Sequence, residues 1–143
     1  MQVRHILRGK GREVIVISAD ATMSEAARLI ARRKIGALVV RDSDGAVAGI
    51  LSERDIVCAV AERSVAALAD SVARHMTHRF VTCHESDEAE EVMELMTDRR
   101  MRHVPVMDAG ELAGIVSIGD LVKSRIDETV REATTLREYI AAG

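Results

Sequence analysis

Two short groups carry residue types and spacing that could do chemistry: Ser52-Glu53-Arg54-Asp55 and Ser117-Ile118-Gly119-Asp120, sixty-five residues apart. Each ends a nearly identical phrase, "GILSERDI" at 49–56 and "GIVSIGDL" at 114–121. A Ser three residues ahead of an Asp fits a helix start. The hydroxyl accepts from a backbone N–H of the first turn, and the carboxylate reaches back to the cap amide and favours the helix dipole. The same geometry suits a ligand. Free amides at a helix N-terminus suit a phosphate, and a carboxylate in that turn can accept two hydrogen bonds from a ribose diol. Capping and binding can coexist, so the spacing leaves both open.

Other reactive residue types are sparse. Cys58, in "DIVCAV", lies among apolar neighbours and is expected in the core, with no base beside it to make it a nucleophile. His75-x-x-His78 and Cys83–His84 do not supply the three or four regularly spaced ligands of a metal site, so no metal is expected. No nucleophile–base pair and no Gly-rich phosphate loop are present, which argues against an enzyme and leaves no catalytic residue to name. The basic clusters "RLIARRK" (28–34) and "TDRRMRH" (97–103) fit helix ends, where cations complement the dipole. The seven Met residues read as core fillers in place of aromatics.

The elements that must position the two Ser–Asp groups come in duplicate. Adding 66 to residues 14–42 places "VIVISAD" on "FVTCHES" and "EAARLIARRKIGALVVRD" on "EVMELMTDRRMRHVPVMD"; one residue is lost where "DSDG" meets "DAG", at a turn. The lead-ins "VRHIL" (3–7) and "VARHM" (72–76) are also alike. Each copy predicts an apolar strand (14–18; 80–84) and a helix whose apolar positions are Ala26, Leu29 and Ile30, or Val92, Leu95 and Met96. Two strands joined by a tight turn follow (37–41 and 46–51; 103–107 and 111–116), then a second helix from Ser52 or Ser117. In the first copy, Thr22 and Glu25 form a capping-box pattern at the first helix. The fold class is thus α/β in the α+β sense: two β-α-β-β-α units packed with pseudo-twofold symmetry. The expected domains are 1–66, with its lead-in, and 67–143, with the linker and C-terminal helix. The tail after Asp120 should extend that helix, with a break expected near Thr134–Thr135.

Composition sets the outer limits. The chain has 143 residues, 48% hydrophobic and 30% charged, with a net charge of −3. That is enough for one core or two small half-domains, and it is not the balance of a polyanion binder. One Phe, one Tyr and no Trp leave no stacking platform for nucleic acid. Two cysteines, no apolar leader and no apolar run long enough to span a bilayer point to a reduced, cytoplasmic protein without membrane contact.

The duplicated Gly-Ile-x-Ser-x-x-Asp phrase, with "KIGALVVRD" and "RMRHVPVMD" ahead of its two copies and "TMSEAARLI" opening the first helix, resembles the CBS-domain family, whose tandem pairs are called Bateman modules. The resemblance covers about residues 3–125, and the second half looks like small stand-alone bacterial members. It implies a regulatory, sensory module that binds adenosine compounds in a cleft between two CBS domains and signals to an effector protein. AMP, ADP, ATP or NAD(H) are implied ahead of S-adenosylmethionine, with no obligatory cofactor and a homodimer as the assembly. By the same resemblance, Asp55 and Asp120 hold ribose hydroxyls and Ser52 and Ser117 lie near the sugar-phosphate. Ile35, Gly36 and Ala37 wall the adenine in one site; Met101, Val104 and Pro105 wall it in the other. Asp20 to Thr22 and Ser86 to Glu88 would line the adenine edge. Arg102 and His103 resemble phosphate-contacting residues, where the first copy has Gly36 and Ala37, with Lys34 and Arg54 as substitutes; Gly119 is the counterpart of Arg54. Two unequal sites are therefore expected. The alternative is a protein-interaction scaffold with a vestigial, unoccupied pocket, in which Ser and Asp act only as caps.

Overall fold

The computed structural model describes all residues, 1–143, and divides them into two compact units: 14–81, and 1–13 with 82–143. In the first, β1 (Val16–Ser18) runs parallel to β2 (Ala37–Arg41), which pairs antiparallel with β3 (Val47–Ser52). Between β1 and β2 lies α2 (Met23–Arg33). The Thr22–Glu25 capping box starts it and Lys34, in the left-handed region at φ 54°, ends it. Its stripe of Met23, Ala26 and Ile30 is buried against Leu38, Val40 and Leu51 of the sheet, as the 3.6-residue period requires. β2 reads "ALVV" because it is the central strand, with Ala37 to Val40 all buried. After β3 come α3 (Glu53–Arg63), a 3₁₀ turn (Ser64–Ala69) and α4 (Val72–His75).

The second unit repeats the order. β4 (Cys83–His84), α5 (Ala89–Arg99), β5 (His103–Asp108), β6 (Glu111–Ser117) and α6 (Ile118–Ala142) form the sheet order β4-β5-β6, again parallel then antiparallel. The β-α-β-β-α expectation therefore holds in both copies. The lost residue is at the hairpin tip: β5 and β6 join through Ala109 and Gly110 alone, both at positive φ (50° and 80°), the geometry of a two-residue primed turn. Both hairpins shift register at the same place, Val40/Arg41 and Val106/Met107.

One expectation changes. α6 runs unbroken from Ile118 to Ala142 through Thr134–Thr135; no Pro or Gly lies between Asp120 and Gly143, and Thr inside a helix costs only up to about 0.7 kcal/mol relative to Ala. The lead-ins sort by packing: α1 (Val3–Lys10) belongs with the second repeat and α4 with the first. The docking is the same in each. Met23 N donates to Asp70 O, Val72 N to Ala21 O and Ala73 N to Ala19 O; the matching bonds are Ala89 N to Met1 O, Val3 N to Asp87 O and Arg4 N to Glu85 O.

Candidate functional site

Each Ser–Asp group sits where a strand turns into a helix. Ser52 is the last residue of β3 and the N-cap of α3. Its hydroxyl accepts from Asp55 N at 3.3 Å, and Asp55 Oδ2 accepts from Ser52 N at 2.8 Å. Gly36 is drawn to this corner because its carbonyl accepts from Glu53 N at 3.0 Å, and Ala37 faces Ser52 across the ladder. Ile35 is half-buried beside them, while Lys34 and Arg54 are exposed on either flank. Asp20 and Thr22 make their bonds at the start of α2: Asp20 N donates to Ser18 Oγ, and the Thr22 hydroxyl accepts from Glu25 N.

The second repeat builds the same corner. Ser117 caps α6, accepting from Asp120 N at 3.1 Å, and its own amide donates to Asp120 Oδ2 at 2.8 Å. The Arg102 carbonyl accepts from Ile118 N at 2.8 Å, and His103 pairs with Ser117. Val104 and Pro105 are buried in β5, Met101 is half-buried, and Arg102 and Gly119 are exposed. Unlike Thr22, Glu88 makes no side-chain capping bond. Both capping boxes are complete, so the helix-start chemistry is realised in each copy.

Two residues outside the sequence reading also reach the carboxylates, both from lead-ins. The Thr77 hydroxyl donates to Asp55 Oδ1 and Oδ2 at 3.3 and 3.4 Å. Lys10 donates to Asp120 Oδ2 at 2.6 Å and to the Ile115 carbonyl at 2.8 Å. Burial alone would push the Asp120 carboxyl up; the bonds from Lys10 and the Ser117 amide, with the Lys10 charge, hold it below its ordinary value. The "VRHIL"/"VARHM" likeness marked the two lead-ins but not these residues, because extending it sets Lys10 against Arg79 and Thr77 against Arg8.

The remaining candidates make other contacts. Cys58 is exposed rather than buried. On α3 only Ala59 is fully buried, and Val57, Cys58 and Val60 point outward. Cys83 is buried, and that burial, followed by the Asp87 charge, pushes its thiol up to about 12, which leaves it inert. His75 Nε2 lies 2.8 Å from Asp70 Oδ2. Asp70 also takes two bonds from Arg63, and the Arg63 and His75 bonds bring its carboxyl down to about 2.

Comparison with known proteins places this geometry. The CBS domain family model matches twice, at residues 3–62 and 69–127. The chain is similar to a CBS-domain containing protein, ATU1752, from Agrobacterium tumefaciens, with 48% identity, a TM-score of 0.84, and 87% of this chain and 92% of that one covered. It is also similar to the CBS domain protein PAE2072 from Pyrobaculum aerophilum, solved complexed with AMP: 28% identity, TM-score 0.75, coverage 84% and 89%. A third is the CBS domain pair of protein MJ0100, solved with 5′-methylthioadenosine and S-adenosyl-L-methionine: 25% identity, TM-score 0.79, coverage 90% and 98%. Matched by two copies of the domain along most of its length, and folded as such pairs fold, this chain belongs to the CBS-domain family.

Proposed function

We propose that the protein is a regulatory module, not an enzyme, that binds an adenosine compound such as AMP, ATP or NAD(H) at its Ser–Asp corners and passes the signal to an effector protein. One observation carries the reading: both copies of the corner combine a helix N-terminus, a hydroxyl and a carboxylate in a single turn. At Asp120 both hydrogen bonds fall on Oδ2, which leaves Oδ1 for a ribose hydroxyl. Arg102 and His103 supply cations beside it, as a phosphate would need. Two solved relatives carry adenosine ligands, AMP in one, and 5′-methylthioadenosine with S-adenosyl-L-methionine in the other, which supports that ligand class. With no effector domain within these residues, a bound ligand acts by favouring one conformation over another, in a twofold homodimer of the chain working in the cytoplasm.

Isothermal titration with AMP, ATP and NADH tests this, together with mass spectrometry of any small molecule released on denaturation. Binding is expected with at least one of them. Saturation at a hundred times the dissociation constant should stabilise the fold by about 2.7 kcal/mol, and Asp120→Ala should lose the part owed to the second repeat while still folding. The completeness of both capping boxes favours the rival reading, an interaction scaffold with a vestigial pocket. An absence of heat with all three compounds, with nothing co-purifying, would establish the rival.

A further inference from the structure

Beyond the Ser–Asp corners, the feature least accounted for is the second half of α6. Residues 129–142 are exposed on every side, yet a helix of that length is marginal in water without something to pack on. Most of its large apolar residues fall on one line, with Val130 and Tyr139 to either side of it. Val122, Ile126, Thr129, Ala133, Leu136 and Ile140 are spaced 4-3-4-3-4, a heptad seam with Ile126, Ala133 and Ile140 at a and Val122, Thr129 and Leu136 at d. Leu121 and Ser124, which are buried against the protein's own unit, lie on the opposite face. The seam faces outward, with Ile126 57%, Leu136 58% and Ile140 67% exposed.

We propose that this seam pairs in parallel with the same helix of a second copy of the chain, as a two-stranded coiled coil. Charge and branching on the page choose the occupant and its direction. Ile126 and Ile140 at a, with Leu136 at d between Ala133 and Ile140, favour two strands at the C-terminal end of the seam. Beside the seam, Glu132 stands at g and Arg137 at e, so parallel pairing sets Glu132 of each copy against Arg137 of the other, twice by symmetry. The antiparallel alignment of the same seam sets Glu132 against Glu132 and Lys123 against Arg137, like charges in both cases. Within one chain Arg125 pairs with Glu90 and Glu128, and neither Glu132 nor Arg137 has an ion pair to give up. Thr129 and Ala133 fill the seam poorly, so the pairing is reversible rather than permanent. The inference adds the surface to the proposed homodimer and does not rest on ligand binding.

The test uses the full chain with Cys58→Ser, which removes the one exposed thiol. Ala133→Cys places thiols face to face at an a position in the parallel pair and opposite Thr129 in the antiparallel one. Mild oxidation should therefore give an interchain disulfide in most of the protein. In sedimentation equilibrium, Leu136→Glu should weaken the dimer by more than about a hundredfold, while far-ultraviolet circular dichroism shows the two sheets and shorter helices intact. Glu132→Arg should weaken it less, and adding Arg137→Glu should restore it. A monomer at every concentration would overturn the proposal, and with it the homodimer reading. A dimer that ignores Leu136→Glu and does not cross-link at residue 133 would overturn the coiled coil alone, because the contact then lies elsewhere. Neither result bears on adenosine binding.

Discussion

Asp55 and Asp120 stand at the same corner of their repeats and keep different company. Asp55 accepts from a neutral hydroxyl, that of Thr77; Asp120 accepts from the ammonium of Lys10 at 2.6 Å. A ribose diol that engages both oxygens of Asp120 finds Oδ1 free but must compete with that ammonium at Oδ2, and the displaced charge then needs an anion. A ligand phosphate supplies one and a bare nucleoside does not. On the proposed function, Lys10 therefore sets a preference at the second repeat for phosphorylated over neutral adenosine compounds. Lys10→Met should narrow the ratio of AMP to adenosine affinity at that repeat by roughly two- to fivefold, the scale of a part-exposed ion pair. The measurement is calorimetric titration of both compounds against a chain carrying Asp55→Ala, which silences the first repeat. An unchanged ratio would remove Lys10 from the selection of ligand.

At the scale of elements, the Gly of each repeated phrase answers to a lead-in helix. A Cβ on Gly49 would lie 2.8 Å from both the Met76 sulfur and the Thr77 carbonyl; a Cβ on Gly114 would lie 2.8 Å from a Leu7 methyl. The matched lead-ins thus press matched residues, Met76 and Leu7, onto matched glycines. The neighbours differ in what can yield. Leu7 can change rotamer, whereas the Thr77 carbonyl is held by the ladder-like bonds between Ile50 and Thr77. Gly49→Ala should cost about 1–3 kcal/mol of stability, the range for overpacking, and Gly114→Ala clearly less, as read from urea unfolding midpoints. The order and turns of these elements were legible in the sequence, because period, caps and Gly/Asp turns are local signals; the first strand of each copy is shorter than its apolar run, Val16–Ser18 and Cys83–His84. The capping roles of Ser52, Asp55, Ser117 and Asp120 were legible for the same reason. Lys10 and Thr77 were not, because "RGK" and "THR" carry no motif and gain their meaning only from where α1 and α4 dock. Cys58 misled because "DIVCAV" is apolar all round while a helix on a small core buries one narrow stripe, here centred on Ala59.

At the scale of the whole chain, the two ways of cutting it make different claims about what folds. Cut in sequence order after residue 66, the first piece keeps α1, which docks on the other repeat. It loses Ala67, Val72 and Met76, all members of its own hydrophobic core, and with them the bond that Asp70 O accepts from Met23 N and those that Val72 N and Ala73 N donate to Ala21 O and Ala19 O. Cut by packing, residues 14–81 keep every strand, helix and core residue of that unit. A piece of this size is near the lower limit at which a single core offsets chain entropy, so the loss of three buried apolar residues, each worth on the order of 1–3 kcal/mol, decides whether it folds at all. Expressed separately, 14–81 should give dispersed amide proton resonances and a cooperative thermal transition, while 1–66 should give neither. Equal folding of the two pieces would mean that α4 adds little to the first repeat, and the exchange of lead-ins would then be an arrangement of the intact chain rather than a condition for its halves to fold.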